Sequence, residues 1–233
     1  MIASFNLIEG GLALCLCVAA LACLFDRHLL RASCLFVVFA LFMTFAWWWL
    51  EAPWLAVAEL ILGALLTGAS LFYALRAYRL KGTALSHRAN ITPYYDSFRG
   101  SWPHGLTRTL LALAWCFMMW GAIRFVMPEM VYSPTEHPLV LAAIVIAATA
   151  MGAFALHRHL LRRLLAFNIL GSGVFLLLAG MAGTEGGAQA LISVGLAIAW
   201  LGSLLGALLI RHLFLLEGTN ALGHDSKAKE QSK

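Results

Sequence analysis

The stretch Pro53-Trp54-Leu55-Ala56-Val57-Ala58-Glu59-Leu60-Ile61-Leu62-Gly63-Ala64-Leu65-Leu66-Thr67-Gly68-Ala69-Ser70-Leu71 carries a single charge, at Glu59. A bilayer core of about 30 Å needs about 20 apolar residues in a helix, and hydrocarbon offers no partner to an open backbone group. The stretch therefore reads as a membrane-spanning helix. Pro53 suits its first turn, where a missing N–H costs nothing. Glu59 comes six residues later, about 9 Å along the axis at 1.5 Å per residue. Glu59, Gly63, Thr67 and Ser70 share roughly 80° of a helical wheel, a small polar face suited to a bundle interior rather than to lipid. A carboxylate at this depth is costly and is by default a functional-site candidate. Glu59, with Thr67 and Ser70, is accordingly read as an ion pathway. The competing reading is a carboxyl hydrogen-bonded merely to hold helices together.

The rest of the chain repeats this pattern. Of 233 residues, 62% are apolar and 12% charged, with a mean hydropathy of +0.85. A soluble surface generally needs about 25 to 35% charged side chains. The expectation is an all-α integral membrane protein of about seven transmembrane helices, near residues 2–24, 29–49, 53–78, 105–127, 138–156, 160–181 and 187–214. Pro128 ends one run, Pro138 begins the next, and Gly183, Gly186 and Gly187 mark a tight turn. Ala20-Leu21-Ala22-Cys23 has some likeness to a lipoprotein cleavage site. The segment before it lacks a basic start and carries Glu9, so a first spanning helix is the better reading.

Charge gives the expected orientation. The net charge of +5 is read against the membrane, not as a nucleic-acid signal. The links after the first, third and fifth spans, with the C-terminal tail, hold all of the 16 basic residues except Arg124. The opposite side holds Glu51, Glu129, Glu136 and Glu185. The positive-inside rule then puts the N-terminus outside and the C-terminus in the cytoplasm. The long link from about Leu80 to Pro103 mixes Arg88, Asp96 and Arg99 with Tyr94, Tyr95, Phe98 and Trp102, which suits a headgroup layer or a docked partner.

Other polar residues read more blandly. Glu9 and Arg124 lie near span ends and can snorkel. His157-Arg158-His159 with Arg162 and Arg163 reads as a basic cytoplasmic turn at lipid headgroups, its arginines repelling any metal ion. Asn168 and Ser172, and likewise Gln189 and Ser193, are spaced four apart and suit interhelical hydrogen bonds. Gly202 and Gly206 suit close helix packing. The cysteines Cys15, Cys17, Cys23, Cys34 and Cys116 form no disulfide or metal framework. Nothing suggests a nucleotide loop, a dinucleotide fingerprint, an iron–sulfur ligand set or a haem histidine pair. No cofactor is expected, and no catalysis by the chain alone.

Two stretches resemble known membrane subunits. Residues 12–75, ending in Glu51-Ala52-Pro53-Trp54-Leu55-Ala56-Val57-Ala58-Glu59-Leu60-Ile61-Leu62-Gly63, resemble a three-helix domain shared by the large subunit of Mrp-type cation/proton antiporters and a small subunit of membrane-bound hydrogenases. Ala52, Pro53, Ala56, Glu59 and Gly63 keep the family pattern, while Trp54 stands where Asp is usual. The resemblance implies that Glu59 takes part in proton or sodium movement. Residues 138–213, through Arg158–Val174 and Ala188–Ile198, resemble the small three-helix Mrp subunit, itself related to the smallest core membrane subunit of complex I. Asn168 and Trp200 occupy the places of that relative's glutamates.

The resulting domain division is 1–80, a linking region with a fourth helix at 81–136, a second three-helix domain at 137–216, and a polar tail at 217–233. The resemblance implies a hydrophobic subunit of an Mrp-like, complex-I-related assembly in a bacterial or archaeal cytoplasmic membrane. Its partners would be a large antiporter-type subunit, other membrane subunits and the lipid bilayer. A redox-driven membrane arm and a purely structural subunit are the alternatives.

Overall fold

The computed structural model describes residues 2–26, 28–85, 138–157, 159–183 and 185–230, with scattered positions between 106 and 125; for 2–6, 77–85 and 214–230 it describes the backbone alone. The chain is an all-α membrane protein. Among the described residues six helices are long and apolar enough to cross a bilayer, and none is a strand element. About half of the expected span at 105–127 lies outside the described residues. Those that are described within it are helical.

The helices are α1 (Ile2–Phe25), α2 (Leu29–Trp49), α3 (Pro53–Ala58), a π-helical segment (Glu59–Thr67), α4 (Gly68–Leu85), α5 (Pro138–Leu156), α6 (Leu160–Ala182) and α7 (Gly186–Glu230). Apolar run length places most of these boundaries, and α2 and α5 coincide with the expected spans. Two features depart from the sequence reading. The third span is not uniformly α-helical, because a nine-residue π segment begins at Glu59. The last helix does not stop at the polar tail but continues to Glu230.

The α2–α3 turn ends α2 with a Schellman pair of hydrogen bonds. The Ala52 N–H donates to the Trp47 carbonyl at 3.0 Å and the Glu51 N–H to the Trp48 carbonyl at 3.2 Å. Glu51 occupies the left-handed position usually held by glycine, with φ of 57°. At the α6–α7 turn, Gly183 ends α6 with φ 74° and ψ −176°, a conformation that glycine adopts without side-chain strain.

Helix packing forms a closed circuit. α1 packs on α2, α2 on the π segment and α4, these on α7, α7 on α6, α6 on α5, and α5 returns to α1. The first three membrane helices and the last three thus face each other across one continuous core, with Leu16, Phe36, Phe39, Met43, Trp47, Leu71, Ile146 and Ile169 buried in it. Small residues allow the closest approach. A Cβ on Gly173 of α6 would stand 3.0 Å from the Ala147 nitrogen of α5, so the two backbones touch. A Cβ on Gly206 would lie 2.8 Å from the Leu164 side chain of α6, while at Gly202 the nearest atom, in Phe167, is 3.7 Å away.

Asp26 organises the α1–α2 turn. Its carboxylate accepts the His28 N–H at 2.9 Å and pairs with Arg31 at 3.3 Å. Arg162, expected at the lipid headgroups, is instead 4% exposed. Its guanidinium donates to the Leu24 carbonyl at 3.3 Å and to the Asp26 carbonyl. The end of α1 presents carbonyls without intrahelical partners and the negative end of the helix dipole, which together draw in a cation. The basic neighbours of Arg162 give no hint of a backbone anchor 136 residues away. Arg211 of α7 stacks over the Tyr73 ring of α4 at 4.5 Å, a second contact between the two halves.

Candidate functional site

Glu59 is 1% exposed and sits where α3 gives way to the π segment. A π turn pairs residues five apart, and such turns are rare and frequently functional. The Thr67 hydroxyl follows this wider spacing by donating to the Leu62 carbonyl, five residues back, at 2.7 Å. The Ser70 hydroxyl donates to the Thr67 carbonyl at 2.7 Å. Both hydroxyls are thus tied to their own helix, as is usual for Ser and Thr in an apolar setting.

The carboxyl of Glu59 lies against Gly63. A Cβ on residue 63 would stand 2.9 Å from Glu59 Cδ and closer still to Oε1, so only a glycine leaves this carboxyl its place. Trp47 of α2, wholly buried, brings its indole N–H to the side of the carboxyl. Neither Trp47 Nε1 nor Glu59 Oε2 attains a hydrogen bond of good geometry with a described residue.

A cavity of about 20 Å³ opens beside Glu59. The π segment contributes Glu59, Gly63 and Thr67, and α2 contributes Phe36; α6 contributes Asn168, Ser172 and Phe175, and α7 contributes Ala199 and Trp200. Both halves of the chain therefore wall it. No basic side chain lines it among the described residues.

Asn168 is fixed from two directions. Its Nδ2 donates to the Leu164 carbonyl at 2.8 Å, and its Oδ1 accepts the Ser203 hydroxyl of α7 at 2.5 Å. The amide orientation follows from this network. Of the sequence-derived candidates, the fold brings Glu59, Thr67, Asn168 and Ser172 to one cavity. Ser70 lies outside its lining. Gln189 and Ser193 lie elsewhere on α7, where the Ser193 hydroxyl donates to the Gln189 carbonyl of its own helix at 2.8 Å rather than across to a neighbour. Sequence reasoning misses Trp47 and Ser203. Ser203 has a legible signal as a lone hydroxyl in an apolar helix, three residues after Trp200; Trp47, inside the run Trp47-Trp48-Trp49, has none.

Residues 14–79 match the MbhD family model, which describes one of the subunits of the membrane-bound hydrogenase, MBH. The match takes in the second half of α1, all of α2, and the third membrane helix with Glu59, Gly63 and the π segment. It agrees with the hydrogenase side of the resemblance carried by residues 12–75. The second half of the chain lies outside it. No curated protein and no solved structure matches the chain.

Proposed function

We propose that the chain is a hydrophobic, non-catalytic subunit of a multi-subunit, complex-I-related assembly that moves protons or other cations, with Glu59 as its ion-pathway carboxylate. One observation carries this reading: a buried carboxyl at the start of a π segment, beside a small cavity walled by both halves of the chain. An intramembrane carboxylate responds strongly to a charge that changes nearby. Movement of a cation in a neighbouring subunit would therefore alter the proton or cation occupancy of Glu59. One buried glutamate makes no continuous path across a bilayer, so a large antiporter-type partner supplies the remainder. In this reading the chain sits in a bacterial or archaeal cytoplasmic membrane, N-terminus outside and C-terminus in the cytoplasm.

The family match of residues 14–79 favours a second reading in which the same subunit serves a redox-driven membrane arm such as that of a hydrogenase. Mild-detergent purification of the tagged full-length chain from its native membrane separates the two. Iron–sulfur subunits in the complex support the redox arm, and membrane subunits alone support an antiporter. Robust cation-coupled proton flux by the chain alone in liposomes would overturn the subunit reading.

A further inference from the structure

Trp47 and Glu59 stand on the two arms of the α2–α3 turn. The turn fixes the first of them: the Trp47 carbonyl accepts the Ala52 N–H at 3.0 Å, and Ala52 caps the helix that leads to Glu59. The Trp47 side chain is wholly buried, so close packing holds its ring in place. Two enclosed polar atoms then meet. Trp47 Nε1 is a donor and Glu59 Oε2 an acceptor, and neither has a hydrogen bond of good geometry to a described residue. Leaving both unsatisfied is costly, and one hydrogen bond between them satisfies the two together. The amide donor on the cavity wall, Asn168 Nδ2, is committed to the Leu164 carbonyl. The other carboxyl oxygen, Oε1, lies against Gly63, where no side chain stands.

We propose that Trp47 is a positioning residue for Glu59: its indole N–H holds Oε2, so that whatever ion Glu59 carries is carried on Oε1, the oxygen beside Gly63. This rests on the reading of Glu59 as an ion-pathway residue and adds which side chain aims the carboxyl and which oxygen takes the ion. An indole N–H donates and never accepts. It suits a carboxyl oxygen that bears no proton, and it opposes a cation at that same atom. The one O–H of a neutral carboxyl therefore goes to Oε1, and a bare cation is directed there too. The indole is also uncharged. A lysine or arginine in its place would hold a buried carboxylate as an ion pair, whereas the indole orients the group and leaves it free to change charge. Gly63 completes the placement from the other side, since a Cβ there would stand 2.9 Å from Glu59 Cδ.

The test replaces Trp47 by benzothienylalanine, in which sulfur stands in the place of the indole N–H, so that the donor is lost and the volume kept. Trp47→Phe is the companion variant. Infrared difference spectroscopy on the full-length chain in lipid, stepped in pH, follows the carboxyl C=O band that Glu59→Gln abolishes. That band should move to higher frequency in both Trp47 variants, because a C=O group that loses a hydrogen bond stiffens. It should stay in place in Trp48→Phe, an exposed neighbour on the same helix. Coupled ion movement by the intact assembly should fall about tenfold in the sulfur variant, as expected when a reacting group is misplaced by about 1 Å, with assembly on native gels as in wild type. A band unmoved by the sulfur variant, no band that Glu59→Gln abolishes, an equal shift in Trp48→Phe, or wild-type ion movement in the sulfur variant overturns the inference. Glu59→Gln tells the two levels apart. If it impairs ion movement while the sulfur variant alters neither band nor movement, the positioning role alone fails; if it moves ions as wild type, the pathway reading fails and the positioning role with it.

Discussion

Gly63 vacates the space that the Glu59 carboxyl occupies: a single added carbon at position 63 would stand 2.9 Å from Glu59 Cδ. The two residues are four apart in sequence, yet they meet within a segment whose backbone no longer follows the α spacing. A flexible carboxyl can swing away from such a collision, and a backbone cannot. The cost of Gly63→Ala therefore falls on the placement of the carboxyl rather than on the fold.

Gly63→Ala should leave thermal stability equal to or above wild type, because alanine in a helix is favoured over glycine by about 1 kcal/mol. Coupled ion movement by the intact assembly should fall about tenfold or more, as expected when a reacting group moves by about 1 Å. Unfolding curves in lipid nanodiscs and flux in native vesicles check the two halves of this outcome. Wild-type flux would show that the position of the carboxyl is unimportant.

Glu59→Gln keeps volume and hydrogen-bonding capacity but releases no proton. Assembly should be intact and coupled movement lost. Glu59→Leu should in addition lower the yield of assembled complex, because the polar groups facing residue 59 would then look onto hydrocarbon. Native gels report assembly, and vesicle flux reports function. A Gln variant that transports normally, beside a Leu variant that fails to assemble, would make Glu59 a scaffold residue.

Arg162→Leu should destabilise the chain by about 2 to 4 kcal/mol, since hydrogen bonds to a charged donor are lost and one buried and one part-buried carbonyl are left behind. Arg162→Lys should recover part of this, because an ammonium is a single point donor and the guanidinium is a fork that spans both carbonyls. Thermal unfolding of the purified chain measures both changes. A neutral Leu variant would mean that the contact with Leu24 and Asp26 contributes nothing.

Glu51→Gly should raise stability by up to about 1 kcal/mol, the cost of a left-handed backbone in a residue with a Cβ. Part of this gain is offset by the extra freedom of glycine in the unfolded chain. The same unfolding assay reads it. A lower melting temperature would indicate that the Glu51 side chain contributes more than its backbone costs.

The proposed orientation rests on the distribution of basic residues. With the native cysteines replaced, a cysteine at Ser133 should react with an impermeant thiol reagent on intact cells, and one at Ser86 should not. The reverse pattern would invert the proposed topology.

The membrane helices are legible in the sequence because span length and apolar composition are direct consequences of the bilayer; Leu29–Trp49 and Pro138–Leu156 show this, with sharp polar or proline boundaries. The π segment is not, because Glu59–Thr67 has the composition of any buried helix and its hydrogen-bond register leaves no mark on residue type. Wheel geometry still puts Glu59, Thr67 and Ser70 on the buried side, but it does not show that Ser70 lies outside the cavity lining. Asn168 is legible as a polar residue that needs a partner. The identity of that partner, Ser203, depends on how α6 and α7 lie together. Arg162 misleads for the opposite reason: its neighbours are basic, and its own partners are backbone carbonyls, which every residue has.

The unbroken run of α7 from Gly186 to Glu230 has a mechanical consequence. Forty-five residues at 1.5 Å each make a rod of about 68 Å, more than twice the roughly 30 Å hydrocarbon thickness. Ala199 and Trp200, in the wall of the cavity, and Ser203, which holds Asn168, belong to the same rod as its far end. A torque applied by whatever grips that lever outside the membrane reaches the surroundings of Glu59 without crossing a loop or a hinge.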